Sequence, residues 1–378
     1  MVADAHPPMR VVVAPDSFKG TLGAAEAADA LAAGWRVVRP DDEVRTVPLA
    51  DGGEGTLEAL GHELPADCWR TAPVTGPDGR PVDAAWLLLP DGTAVVEMAR
   101  AAGLPLLDRP DPLGATTRGL GELLAAVVAT GVDRVLLTLG GSATTDGGTG
   151  ALAALGARFL DADGADLPPG GGALARLDRV DLDGLVPPPP GGVRCLVDVT
   201  APLLGPLGAA GQFGPQKGAS PEQVAVLDAA LARLADLLGG DRAAPGAGAA
   251  GGTAYGFAAC WGAEFVSGAA AVAEAAGLDE ALAGADLVLT GEGQFDAQSL
   301  RGKVVGALVE RADRAGVPVT VVAGRVDAAG VDGEGDRPVH RAVSLTDLAG
   351  SVAAAMAEPA RWLAEAGRQE AREQSVTP

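Results

Sequence analysis

Apolar residues follow one rhythm at both ends of the chain and another in its middle. Residues 10–14 are a Val-rich run, residues 15–20 a polar loop, and residues 22–38 carry apolar side chains at helical spacing. Residues 44–49 form a second apolar run, closed by Ala50-Asp51-Gly52-Gly53-Glu54-Gly55, after which helical spacing returns. Strand, helix, strand, helix in that order predicts a parallel sheet. From about residue 72 the texture changes. Residues 82–89 and 93–98 read as antiparallel strands around Pro90-Asp91-Gly92. A helix over 116–130 feeds a strand over 134–139, which ends in Gly140-Gly141-Ser142-Ala143-Thr144-Thr145-Asp146-Gly147-Gly148. A strand over 194–197 delivers Asp198, and helices are expected over 221–238 and 267–283. Near residue 285 the first rhythm returns, with strands over 286–290 and 317–323 and helices over 303–315 and 346–366. The charged tail after Gly367 is expected to fray. The pattern predicts an α/β protein: a doubly wound parallel-sheet domain built from residues 1–71 and 285–378, with a second, mixed α/β domain over 72–284 inserted in it.

The 378 residues exceed what one core usually serves, which agrees with two domains. No stretch of about 18 apolar residues lacks a charge or a Gly/Pro break, so no membrane helix is expected. The apolar run at residues 11–14 is too short for a secretory signal. Cys68, Cys195 and Cys260 are odd in number and scattered, which points to a reducing cytoplasm. A formal net charge of −22 argues against nucleic acid and against an anionic membrane surface as partners.

Only Lys19, Lys217 and Lys303 are lysines among the 28 basic residues, and each adjoins a glycine. A compact ammonium kept beside flexible backbone, in a chain that otherwise uses Arg, points to anion binding. Four predicted strands end in polar Gly loops, at 15–20, 51–55, 140–148 and 291–296. Ligands of open α/β sheets bind outside the carboxyl ends of the strands, where glycine lets backbone approach an anion. Asp51, Glu54, Asp146, Asp198, Glu292 and Asp296 lie in or beside these positions. Such carboxylates can hold Mg²⁺ or take a proton from a hydroxyl, and the alternative use of each is a cap or an Asx-turn.

Other motifs do not carry through. Gly246-x-Gly248-x-x-Gly251 has no strand before it and so is not a dinucleotide fingerprint. Gly302-Lys303 lacks the rest of a Walker A loop. His6, His62 and His340 are isolated, and Ser142 has no hydrolase context.

Taken in order, several segments resemble one family over nearly the whole chain. They are Ala14-Pro15-Asp16-Ser17-Phe18-Lys19-Gly20, Ala50-Asp51-Gly52-Gly53-Glu54-Gly55, Leu139-Gly140-Gly141-Ser142-Ala143-Thr144, Asp198-Val199-Thr200, Phe213-Gly214-Pro215-Gln216-Lys217-Gly218-Ala219 and Thr290-Gly291-Glu292-Gly293. With these motifs the chain resembles the bacterial type I glycerate kinases. The resemblance implies a flavodoxin-like domain with a second α/β domain inserted, and ATP- and Mg²⁺-dependent phosphorylation of D-glycerate. It favours 2-phosphoglycerate over 3-phosphoglycerate. Lys19, Asp51 and Asp198 are then the expected catalytic residues. Asp16, Ser17, Gly52, Gly53, Gly140, Gly141, Ser142, Thr144, Lys217, Gly291 and Lys303 are expected to bind substrate or phosphate. Glu54, Asp146, Glu292 and Asp296 are expected at the metal. Gln294 stands where the family often has Arg, which removes one cation. A kinase for another small hydroxy acid, and a phosphate-metabolite-binding regulator without turnover, stay open as alternatives. A homodimer stays open as the assembly.

Overall fold

Val11, Val12 and Val13 send alternate side chains to opposite faces of a sheet, and each face is buried. Both faces need a covering layer, and that requirement sets the architecture around them. A computed structural model describes residues 7–300, 304–327 and 339–375. The chain divides into two compact units, Met1–Asp51 with Glu58–Glu63 and Ala269–Pro378, and Gly52–Leu57 with Leu64–Gly268.

The first unit holds a five-stranded sheet of β1 (Arg10–Val13), β2 (Glu43–Thr46), β11 (Leu287–Phe295), β12 (Val319–Val326) and β13 (Val339–Ser344). The order is β2-β1-β11-β12-β13, and every pairing is parallel. Counted within the unit this is the flavodoxin order 2-1-3-4-5, whose switch point lies between β1 and β11. Val11, Val13, Leu287 and Leu289 pack with Leu31 and Leu363 on one face. Val12, Val288, Val319 and Val321 pack with Val305 and Leu308 on the other. The helices Ala24–Val38 and Pro359–Gln374 approach closely because Gly34 and Gly367 lie at their contact. A methyl group on Gly34 would overlap the Ala364 carbonyl.

The second unit has a six-stranded sheet, in the order β10 (Glu264–Val266), β9 (Val193–Leu196), β6 (Arg134–Thr138), β5 (Thr93–Glu97), β4 (Pro81–Leu88) and β3 (Trp69–Thr75). β3, β4 and β5 are antiparallel, and β5, β6, β9 and β10 are parallel. The Pro90-Asp91-Gly92 turn joins β4 to β5 as expected, with Gly92 at φ +84°. The units part at Asp51, Leu57, Glu63 and Gly268, whereas the sequence pattern predicts seams at 71 and 284. β3 belongs with its partner β4, and Ala269, Leu278 and Leu282 belong with the core of the first sheet.

Four expectations change. The strand expected over 286–290 continues to Phe295, because Gly291, Glu292 and Gln294 pair with Val322, Ala323 and Arg325. The helix expected over 267–283 is two helices, parted at Gly277 with φ +65°. The helix expected over 346–366 is three, divided by Gly350, by the Ser351 cap and by Pro359. The tail does not fray at 367: the last helix runs to Gln374. Glu370 holds it there, buried and paired with Arg341 at 3.1 Å.

The Gly34 contact gives a direct test. Gly34→Ala should lower the unfolding free energy by about 1–3 kcal/mol in urea denaturation. An unchanged midpoint would mean that the two helices do not pack at this distance.

Candidate functional site

Two sets of predicted residues assemble, one in each unit. In the first, β1 ends at Val13 and the chain turns at Pro15-Asp16-Ser17-Phe18. Phe18 is buried, and its backbone closes a tight turn with Leu22 at 2.9 and 3.1 Å. That turn presents Lys19 with its side chain 77% exposed. Asp16 N–H donates to the Gly291 carbonyl at 2.8 Å, so this loop is fixed to β11 at the switch point. A side chain on Gly291 would overlap the Val322 carbonyl and come within 3.2 Å of the Phe18 ring. Glycine is therefore required there by the close passage of β12 and Phe18.

The Lys19 ammonium donates to Asp51 at 3.3 Å. Its pKa is raised, chiefly by the Asp51 charge, with Asp16 and Glu292 adding to the effect. As an exposed pair it contributes little to stability, so its arrangement bears on function rather than folding. Asp16 is different. Burial pushes its carboxyl up to about 6, the Ser17 N–H and Lys19 oppose the shift, and the Asp51 charge reinforces it. Sequence reasoning gave Asp16 only a binding role. Its raised pKa at a strand end makes it a candidate acid–base group.

In the second unit, glycines bring backbone segments into contact. A Cβ on Gly140 would lie 2.7 Å from the Gly53 Cα, and one on Gly52 would lie 2.8 Å from the Leu196 Cβ. The 52–53 segment therefore rests on the ends of β6 and β9. Asp198, just past β9, is exposed and accepts a hydrogen bond from Gly268 N–H at 3.0 Å. Gly141 is exposed and its carbonyl accepts from Leu104 N–H at 2.8 Å. Ser142 is half-buried.

Lys217, expected to bind phosphate, makes contacts inside the second unit. It is buried, and its ammonium donates to the Ser142 Oγ at 2.9 Å and the Thr144 carbonyl at 2.5 Å. It joins the 214–219 turn to the 140–148 loop. Burial pushes its pKa down to about 7, and the Asp146 charge opposes that shift. Thr144 is fully buried, and its hydroxyl finds no hydrogen-bond partner among the described residues. Asp146 was expected at the metal, but it is fully buried. Its carboxylate accepts from Thr117 N–H and Oγ–H at 2.9 and 2.8 Å, Gly148 N–H at 3.1 Å and Gly150 N–H at 3.3 Å. Those donors occupy the oxygens, which makes Asp146 an internal anchor for its loop. Asp296 turns its carboxylate into its own loop, accepting from Gln298 N–H at 2.8 Å and from the Gln294 amide at 3.4 Å. Glu54 is exposed in the second unit and Glu292 half-buried in the first. Lys303 lies outside the described residues.

Among the described residues no three His, Cys, Asp or Glu side chains form a metal cage. Mg²⁺ rarely needs one, since it takes one or two carboxylates and completes its shell with water and phosphate. Asp16, Asp51 and Glu292 all act on the single Lys19 ammonium, which leaves an excess of carboxylate at the switch point. That donor set fits a divalent cation carried in with phosphate oxygens. Among the described residues no helix is long and apolar enough to cross a membrane.

Asp146→Ala should cost on the order of 3 kcal/mol of stability, because it strands several buried donors. Urea denaturation should show that loss with and without Mg²⁺. A Mg²⁺-dependent stabilisation of the parent that disappears in the variant would return Asp146 to the metal.

The model of the Glycerate kinase family matches residues 11–374. The chain is 43% identical to a glycerate kinase of Bacillus subtilis (strain 168) over 329 residues, covering 84% of this chain and 85% of the relative. It is 43% identical to a glycerate 2-kinase of Escherichia coli (strain K12) over 325 residues, with 84% and 85% covered. A Salmonella typhimurium LT2 protein whose crystal structure carries the name glycerate kinase 2 superposes with a TM-score of 0.83 at 37% identity, over 98% of this chain and 99% of that one. By sequence along nearly its full length, and by fold, this chain belongs to the glycerate kinase family.

Proposed function

We propose that the chain is a glycerate kinase of the bacterial type I kind. It transfers the terminal phosphoryl group of ATP to a hydroxyl of D-glycerate and yields 2-phosphoglycerate in preference to 3-phosphoglycerate. The observation that carries the reading is the Lys19 ammonium, hydrogen-bonded to Asp51 and in the field of Asp16 and Glu292, at the switch point of a flavodoxin-ordered sheet. The E. coli relative's name, glycerate 2-kinase, supports the 2-position. Three free cysteines fit a reducing cytoplasm.

Phosphoryl transfer needs positioning and charge neutralisation more than covalent chemistry. Lys19 neutralises charge on the phosphoryl oxygens. Asp51 fixes the Lys19 ammonium through their 3.3 Å hydrogen bond. Asp16 takes the proton of the attacking hydroxyl, since its pKa of about 6 leaves it anionic yet basic at neutral pH. Ser17, Gly52, Gly53, Gly140, Gly141 and Gly291 offer backbone and hydroxyl groups to the anions, and Asp198 orients the acceptor. Asp51 and Glu292 would hold Mg²⁺ together with the ATP phosphates, and the ion would supply further charge neutralisation.

Incubation with ATP, Mg²⁺ and D-glycerate, followed by phosphate-position analysis, should give 2-phosphoglycerate. A substrate panel with coupled ADP detection tests the other hydroxy acids, and a better acceptor than D-glycerate would replace it. Lys19→Ala should lower kcat/KM by about 100-fold or more. Unchanged kcat/KM for both substrates would remove Lys19 from the mechanism.

Asp16 sets a pH dependence. Its activity form is the anion, so kcat/KM should rise with pH through about 6. Asp16→Asn should lose most activity together with that limb. Stability runs the other way. The folded carboxyl binds its proton more tightly than the unfolded one, so its contribution falls as pH rises from about 4 through 6. Asp16→Asn should flatten that slope in denaturation curves, and an equally steep slope would place the raised pKa on another group.

A further inference from the structure

The first unit contains a cavity of about 140 Å³ at the carboxyl ends of β12 and β13 that the proposed chemistry does not use. Its floor is glycine. A Cβ on Gly324 would come within 2.5 Å of the Gly293 carbonyl, so β11 and β12 present bare backbone there. Its inner wall is apolar, from Phe18, Leu345 and Ala355. Its outer wall is the short helix Val352–Ala357, where Val352 is 43% and Met356 56% exposed. Large apolar side chains left exposed side by side on the rim of a concave site mark a surface that receives a ligand. Two cations complete the lining. Lys19 stands between this cavity and the carboxylates Asp16, Asp51 and Glu292. Arg325 is exposed beside it.

The combination is specific in its polarity. One end is apolar with a methionine, whose soft and adaptable side chain suits a flat ring. The other end shares Lys19 with the phosphate-handling loop. A guanidinium at the rim can stack on an aromatic face or bind phosphate. A ligand that fills this shape has an uncharged aromatic ring at one end and phosphates at the other. We propose that the cavity between Phe18, Gly324 and the helix Val352–Ala357 is the nucleoside subsite. The base of ATP packs against Leu345, Ala355 and Met356, and its phosphates lead past Arg325 to Lys19. This assignment rests on the kinase reading and deepens it. It also accounts for Val352 and Met356, two exposed residues that folding alone leaves without a use.

The test uses the full chain and two neutral substitutions. Ala355→Leu fills the cavity, and Met356→Ala removes one wall at an exposed position where folding is not at risk. ATP binding is measured by calorimetry, with KM for ATP and for D-glycerate from steady-state assays and inorganic tripolyphosphate as a competitor. Ala355→Leu should raise the Kd and KM for ATP by about tenfold or more, and Met356→Ala by about threefold. KM for D-glycerate and inhibition by tripolyphosphate should stay within about twofold, which also shows that both variants are folded. Unchanged ATP affinity in both variants overturns the subsite. So does a shift in D-glycerate KM in place of ATP, or a parent that binds no ATP. A parent that binds ATP with these variant effects but makes no phosphoglycerate leaves the subsite standing and removes the acceptor assignment.

Discussion

The first unit depends on a backbone contact at Gly291. β11 pairs with β12 through this residue, and the Val322 carbonyl and Phe18 ring occupy the space where a side chain would stand. With β11 held that close, Asp16 N–H reaches the Gly291 carbonyl and Thr290 donates to the Ala14 carbonyl at 2.7 Å. The loop after β1 then has one path available. Phe18 turns inward and Lys19 outward, which places the ammonium among three carboxylates. The same glycine thus fixes the strand order at the switch point and the electrostatics beside it.

The second unit reaches a similar end with different means. Its long Gly loop after β6 is held from inside by two charged groups. Asp146 collects four donors from the loop and from Thr117, and Lys217 clasps Ser142 and the Thr144 carbonyl from the neighbouring turn. Satisfied buried polar groups of this kind specify a single loop conformation. Ala250, at φ +53°, and Gly251 pass against the same loop, where a side chain at 251 would overlap the Thr144 carbonyl. The motif that fails as a dinucleotide fingerprint is thus packing material for the loop Asp146 and Lys217 hold.

Strand and helix order was legible because both rest on local periodicity and on Gly/Pro punctuation. Val11–Val13, the Pro90-Asp91-Gly92 turn and the Lys19 loop could be read residue by residue. What stayed hidden was set by tertiary contacts. Nothing near Lys217 in sequence announces that its ammonium points inward, because its partners lie more than seventy residues away. Asp146 beside Gly147 looks the same in sequence whether it binds a metal or caps a loop, and only burial separates the two. β11 continues through Gly291-Glu292-Gly293 because β12 pairs with it there, a fact a Gly-rich segment conceals. The cavity beside Lys19 draws on four separated segments, so no local motif describes it.

Charge gives the last constraint. A chain of net charge −22 keeps only three lysines, each read from its glycine neighbour as an anion-binding group. At the switch point three carboxylates, Asp51, Asp16 and Glu292, act on the one Lys19 ammonium. Free triphosphate would be repelled there, whereas triphosphate carrying a divalent cation would find ligands for that cation. On the proposed reading, that excess acid would favour a nucleotide that arrives with a divalent cation. It also keeps Asp16 partly protonated near pH 6, since Asp51 reinforces what burial begins. Neutralising the neighbouring charge would lower the Asp16 pKa and leave it more fully anionic. The group proposed to accept the proton is thus tuned by the charges expected to receive the cation, and both follow from the turn that Gly291 permits.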